Sequence, residues 1–257
     1  MERISERDKK VNLEEFVNIS LVDMVADKIR SNIYNGKYLP GKRLVVRELS
    51  EELGVSHTPI KDALNRLVSE GYVVALPRRS MVVREYSTIE FIDNFETRLM
   101  FELYHSAEIL EHAKKDGRLL ADLEEYKNTM EDLVKNNEDI SYETWVNCET
   151  GFHQRYMKEC SNQKVYELYC QLDTNRQSYF TYMNNNRLPL SLDIIHTNCQ
   201  EHSAIVEAIR SGEAKTFCQV VSNHLIRACG DYTVDEPSKK RFQQMIENAE
   251  RFLKNLT

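Results

Sequence analysis

The sequence predicts a mainly α chain built from two unlike parts, and three observations carry that expectation. Between Pro40 and Val74 (PGKRLVVRELSEELGVSHTPIKDALNRLVSEGYVV), Gly54, Thr58-Pro59 and Gly71 punctuate two short apolar helical periods. Tyr72–Leu76 and Met81–Arg84 are short apolar runs around Pro77-Arg78-Arg79-Ser80, the pattern of a β-hairpin with a basic tip. Past Tyr86, Gly and Pro become scarce and long helical periods follow one another. We therefore expect an N-terminal winged helix-turn-helix, three helices plus a small β-hairpin, followed by an all-α bundle of six to seven helices.

Each element has its own signal. Residues 1–18 are polar and read as a flexible N-terminal extension. Leu21, Val25, Ile29 and Ile33 recur at i+4, so 20–35 is an amphipathic helix ending near Asn35-Gly36. Pro40-Gly41 makes a turn. Arg47–Leu53 is a short helix with Leu49 and Leu53 inward. Pro59–Glu70 is the next, burying Ile60, Ala63, Leu64, Leu67 and Val68. Thr58 can cap it, and Pro59 suits a first turn, where an N–H has no partner. The hairpin closes a unit at 19–86. The bundle helices expected next are Thr88–Lys114, Arg118–Asn136, Ser141–Cys160, Gln163–Asn184, Pro189–Ser211 and Glu213–Tyr232, within a second unit at 87–235. An extra helix, Ser238–Asn255, falls in 236–257, with Phe242, Met245, Ile246, Ala249, Phe252, Leu253 and Leu256 on helical spacing. It reads as cover for its own bundle, with a dimer contact as the alternative.

Charge separates the same two parts. The net charge of −7 argues against a general nucleic-acid binder, but 19–86 holds eleven Lys/Arg against eight Asp/Glu, while 87–257 holds nineteen against twenty-eight. The first part can sit on phosphates and the second would be repelled by them. No apolar run approaches the ~20 residues of a membrane span, and the charged start has no apolar core of a secretion signal. The six cysteines (Cys148, Cys160, Cys170, Cys199, Cys218, Cys229) have no CxxC pairing and read as reduced, mostly buried thiols of a cytoplasmic protein.

In a helix-turn-helix the second helix enters the major groove with its N-terminal residues at base edges. That assigns Ser56, His57, Thr58 and Lys61 to DNA, with Arg47 from the preceding helix and Arg78 and Arg79 at the wing tip. The stretch resembles, almost position by position, the DNA-binding domain of the GntR family of bacterial transcription regulators, in PGKRL and RELSEELGVSHTPIKDALNRLVSEGYV. The resemblance implies DNA binding as a homodimer on a palindromic operator. The chain departs from the family at His57 and Lys61, where Arg is usual, and at Ser80, where Gly is common. Arg grips guanine bidentately, while Lys is a point charge and His makes one hydrogen bond. The operator is therefore expected to differ at the base pair that His57 faces.

The acidic part contains Glu149-x-x-x-His153, whose i, i+4 spacing puts both side chains on one helix face. His202 and His224 lie on two later helices separated by Ser211-Gly212. Three imidazoles and a carboxylate suit a divalent transition metal, although a helical His is more often an ordinary side chain. Residues 87–235 resemble the all-helical FCD effector domain of the FadR-type branch. The resemblance rests on Arg98…Glu102, Glu149-x-x-Phe152-His153, Ser161-Asn162, Glu201-His202…Gly212-Glu213 and His224-Leu225. It implies that Glu149, His153, His202 and His224 ligate the ion, zinc first, with nickel and manganese as alternatives. Glu149 departs from the family's usual Asp. Arg98 and Asn162 fall at family positions near the cavity and could grip a carboxylate; the plain alternative for Arg98 is an ion pair with Glu102. His105, His112 and His196 match no such position and read as ordinary helix residues, and no spacing supports a thiolate ligand.

The function expected is a DNA-binding transcriptional regulator, in the repressor sense commonest in the family. Its operator affinity would be set by a small carboxylate or sugar acid at the metal site. One alternative is a regulator for which the ion itself is the signal. The other is a metal-dependent enzyme, although no HExxH-like base accompanies the ligands.

Overall fold

The computed structural model describes residues 20–77, 80–135, 142–172, 174, 192–230, 233 and 235–256. The chain opens with α1 (Leu21–Tyr34), started by a capping box in which the Ser20 hydroxyl accepts from the Asp23 N–H and the Asp23 carboxylate accepts from the Ser20 N–H. A two-residue strand β1 (Arg43–Leu44) precedes α2 (Val46–Leu53) and α3 (His57–Ser69). Gly54 closes α2 at φ +68°, in the left-handed region that glycine enters without penalty, and so makes the tight turn between the two helices. α3 begins at His57 with Ser56 as the flanking residue, two positions before the expected Pro59. Pro59 then sits third in the helix, still among the first four residues whose N–H has no intrahelical acceptor, so the missing donor costs nothing.

The wing is β2 (Val73–Leu76) and β3 (Ser80–Val83), paired antiparallel with Val73 opposite Val83 and Leu76 opposite Ser80. β1 adds to the other edge of β3, giving the order β1-β3-β2. Two residues are too short for a period-2 pattern, so β1 was not expected from sequence. Arg78 and Arg79 lie outside the described residues. Ile29 and Ile33 of α1 meet Ile60, Leu64 and Leu67 of α3, with Leu44, Leu49, Val73 and Val83 completing this core.

Eight helices follow among the described residues: α4 (Thr88–Tyr104), α5 (Ser106–Lys115), α6 (Arg118–Lys135), α7 (Tyr142–Met157), α8 (Gln163–Leu172), α9 (Leu192–Ser211), α10 (Ala214–Gly230) and α11 (Glu236–Lys254). The expected single helix Thr88–Lys114 is broken at His105 (φ −90°, ψ 6°). No Gly or Pro marks the break, and the inward positions Leu99, Leu103, Ser106 and Leu110 run straight through it. The ends expected for helices in 173–191 lie outside the described residues. α6 and α7 approach closely at Gly151, where a Cβ would fall 2.5 Å from the Tyr126 ring. α11 packs back on its own bundle: Met245 and Ala249 are buried, Arg241 pairs with Asp93 at 2.6 Å and with Glu96, and Asn248 donates to Glu96 at 2.7 Å. The bundle has its own core, with Phe91, Phe95, Phe152, Tyr156 and Phe217 fully enclosed. No helix among the described residues is long and apolar enough to cross a membrane.

Candidate metal centre and nucleic-acid interface

Ser56, His57, Thr58 and Lys61 are all exposed at the N-terminal end of α3, with His57 and Lys61 one turn apart. The opposite face of α3 is buried against α1, so the helix is anchored by one side and presents the other. Arg47, on the first turn of α2, is also exposed and has only a loose 3.6 Å pairing with Glu51. This face therefore holds solvated donors that can exchange water for phosphate or base edges at little cost.

The acidic part has the opposite character. α7 brings Glu149 and His153, α9 brings His202 and α10 brings His224, all buried, with ligand atoms within 4.8 Å of one another. His153 Nε2 lies 3.1 Å from His224 Nε2 and 3.3 Å from His202 Nε2, and His202 Nε2 lies 3.4 Å from Glu149 Oε2. Bonds of about 2.0–2.1 Å to one ion at tetrahedral angles subtend edges of about 3.3–3.4 Å, and these three separations come close to that.

The tautomers agree. His224 Nδ1 sits 2.7 Å from Glu201 Oε2, which can only accept, so the proton is on Nδ1. His153 Nδ1 donates to the Tyr156 hydroxyl at 2.6 Å, and that hydroxyl donates to Glu102. His202 Nδ1 faces the Met130 sulfur at 3.2 Å. Bare Nε2 lone pairs of His153 and His224 would repel at 3.1 Å unless they shared a cation, so the donor set fits a divalent metal. Partners on the far nitrogens are the arrangement that fixes metal-binding imidazoles.

Ionisation points the same way. Burial, aided by the Arg98 charge, pushes His153 down to about 3, and burial also lowers His224, which keeps both imidazoles neutral. Burial opposes the Glu149 charge, but the surrounding imidazoles, His202 first, hold its carboxyl at about 2. Glu149 Oε1 accepts from Asn198 at 3.0 Å. Asn198 in turn accepts from Arg227, and Arg227 pairs with Glu201 at 2.6 Å. A closed chain of side chains thus ties Glu149 to His224. Asn198 and Arg227 carry no motif of their own in the sequence, but they stand one turn from His202 and His224, so helical spacing from those residues points to them.

Arg98 is buried on α4. Its Nε donates to Glu102 at 2.8 Å and its Nη1 to Thr174 at 2.8 Å, so the expected pairing with Glu102 exists. Its Nη2 has no partner among the described residues. Arg98, Thr150, His153, Gln154, Tyr169 and Thr174 line one narrow cavity of about 20 Å³, which joins that guanidinium to an imidazole of the His/Glu cluster. Glu102 is fully buried beneath it, accepting also from Tyr169 at 2.6 Å; burial opposes its charge, but Arg98 keeps it ionised. Asn162 is not in this cavity. It is exposed, and its Oδ1 accepts from the N–H groups of Lys164 and Val165 at 3.1 and 3.3 Å, so the structure uses it to start α8.

A winged DNA-binding unit joined to a helical unit with a buried His/Glu centre defines a class: a bacterial-type regulator with an effector domain. The chain belongs to the GntR family with an FCD domain. Residues 21–83 match the family described as bacterial regulatory proteins, gntR family, and residues 93–227 match the FCD domain. It is 25% identical over 207 residues to the uncharacterized HTH-type transcriptional regulator YieP of Escherichia coli K12, covering 75% of this chain and 86% of that one. It is 25% identical over 229 residues to the Uxu operon regulator of Haemophilus influenzae, covering 83% and 82%. The solved E. coli McbR/YncC structure overlays with a TM-score of 0.60 at 18% identity, covering 90% of this chain and 98% of that one, which supports the fold. The protein is a GntR-family DNA-binding transcriptional regulator.

Proposed function

We propose that this regulator is a repressor whose operator affinity is set by a small carboxylate, a sugar acid among them, bound beside a metal centre in the helical part. The observation that carries the reading is the cavity of about 20 Å³, room for about one water or one carboxylate oxygen, that is shared by His153 and buried Arg98, whose Nη2 has no hydrogen-bond partner among the described residues. An unsatisfied buried guanidinium nitrogen costs free energy that an anionic oxygen would recover. Glu149, His153, His202 and His224 would hold the ion, zinc before nickel or manganese; when bound it supplies a net positive centre for an oxygen ligand. Arg98 then grips the carboxylate while Glu102, Tyr156 and Tyr169 hold Arg98 and His153 in place. Asn162 has no part in this grip.

On the DNA side, Ser56, His57, Thr58 and Lys61 would reach base edges and Arg47 the backbone, with Arg78 and Arg79 on the wing. Two copies of the chain would read a palindrome in the cytoplasm. The effector works by binding one arrangement of the paired DNA-binding parts better than another. The test is metal analysis and unbiased ligand identification on the purified full chain. The expected result is at least one tightly held divalent ion and a co-purifying small carboxylate. Absence of any tightly held metal from wild type purified without chelators would overturn the reading. Full switching of operator affinity by chelation alone would favour the ion as signal instead.

A further inference from the structure

The break between α4 and α5 gathers a second set of metal-binding side chains. His105 is the residue at the break, Glu108 lies one turn further on, and Cys160 comes from just beyond α7. The Cys160 sulfur is buried and sits 3.3 Å from His105 Nδ1; Glu108 Oε2 sits 3.2 Å from the same nitrogen. The three donor atoms lie within 4.8 Å of one another.

These distances suit coordination to one shared ion as well as hydrogen bonding. An N–H···O hydrogen bond runs from about 2.7 to 3.2 Å, and His224 with Glu201 lies at its short end at 2.7 Å. At 3.2 Å, His105 and Glu108 lie at the long end of that range and within the 3.1–3.4 Å of three separations among Glu149, His153, His202 and His224. Bonds of about 2.0–2.1 Å to nitrogen and oxygen and about 2.3 Å to sulfur give N–O and N–S edges of about 3.3–3.6 Å, and both observed edges come close to that. The remaining contacts leave the arrangement in place: Glu108 Oε1 accepts from the Ser161 N–H at 3.0 Å, and the Cys160 thiol points at the Asn162 carbonyl at 3.7 Å.

We propose that Cys160, His105 and Glu108 form a second cation site, for a thiophilic divalent ion such as zinc, separate from the Glu149, His153, His202 and His224 centre. His105 also lines an apolar cavity of about 630 Å³ between α4, the start of α8 and α11, so the fourth coordination position has a route to water. Burial pushes the Cys160 thiol up, so the metal-free thiol is protonated. Binding replaces the S–H bond with a metal–sulfur bond, and the proton leaves to solvent. The site joins the α4–α5 junction to the end of α7. α4 carries Arg98 and α7 carries Glu149 and His153, so an ion here braces the two helices that frame the effector cavity. The proposal stands on its own geometry and does not depend on the first centre being filled.

The test is cobalt(II) titration of the full chain, read by the near-ultraviolet sulfur-to-cobalt charge-transfer band and by bound cobalt per chain. Wild type is expected to show the band at saturation. Cys160→Ser is expected to lose the band and one equivalent of cobalt, while His202→Ala keeps the band. Glu108→Gln, a change at a partly exposed residue, is expected to weaken band formation about tenfold or more with an unchanged far-ultraviolet spectrum. No band in wild type at saturating cobalt, a band that survives Cys160→Ser, or unchanged affinity in Glu108→Gln would overturn the assignment.

Discussion

The recognition end of α3 and the histidine centre of the bundle solve opposite problems. Ser56, His57, Thr58, Lys61 and Arg47 are exposed and held by little, as suits residues proposed to trade water for DNA. His153, His202, His224 and Glu149 are buried, and their outward atoms are held by Tyr156, Met130, Glu201 and Asn198. A surface that meets its partner at every binding event keeps its donors solvated. A centre that fixes an ion needs its lone pairs aimed beforehand, which demands supporting residues from several helices. Substitutions should therefore separate the two regions: changes at the α3 face alter DNA binding and leave the fold, while changes in the bundle alter metal, ligand and stability together.

The largest effect is expected at the centre itself. His202→Ala should weaken divalent metal binding by more than about 100-fold, read by metal content after dialysis, with DNA binding by the metal-free form retained. Equal metal retention in the variant would break the comparison.

Two arginines sharpen it. Arg98→Ala strands the fully buried Glu102 charge and should cost about 3–5 kcal/mol in denaturant unfolding. Arg47→Ala should leave unfolding unchanged while lowering operator affinity and reducing the salt slope by about 1. A stability loss in Arg47→Ala matching that in Arg98→Ala would contradict the contrast.

Glu201→Gln should lower metal affinity by about 10–100-fold, since the amide no longer fixes the His224 tautomer as a carboxylate does. Unchanged affinity would show that the chain through Arg227 and Asn198 does not orient the ligands.

Acid should weaken the bundle through the same centre. His153 is held at about 3 against an ordinary 6.5, so the unfolded chain binds its proton first. The stability of metal-stripped protein should be fully present above about pH 6.5 and should fall as pH drops toward 3, with Glu149 adding its loss only below 4.5. Urea midpoints at about pH 7.5 and about pH 5 check this, the lower one being expected at the lower pH. The smallest effect is one of preference. His57→Arg should leave folding and metal content unchanged and move the selected DNA sequence toward guanine at one base pair.

The same comparison explains what could be read from the sequence. The winged part is written in one continuous stretch: Gly54 needs a left-handed turn, Ile60, Ala63, Leu64 and Leu67 mark the buried face of α3, and the exposed face follows by exclusion. The start of α3 was missed by two residues because Pro59 is tolerated anywhere in a first turn. The proposed metal centre joins residues up to 75 positions apart on three helices. Only Glu149 and His153 show a local spacing, and the convergence of His202 and His224 is set by how α9 and α10 pack. His105 read as an ordinary helix residue because nothing at 105 signals that the helix breaks there. Cys160 was passed over because its partners lie more than fifty positions away.

The central claim is that a carboxylate held by Arg98 beside the metal centre controls DNA binding. Its most direct test is an operator titration with the full chain, on DNA selected from a random pool. Wild type, His202→Ala and Arg98→Lys would each be titrated with and without a panel of small carboxylates and sugar acids. The account predicts that at least one compound shifts the operator Kd of metal-loaded wild type by about tenfold or more. The same compound should shift neither variant. An equal shift in metal-stripped protein or in His202→Ala would contradict it.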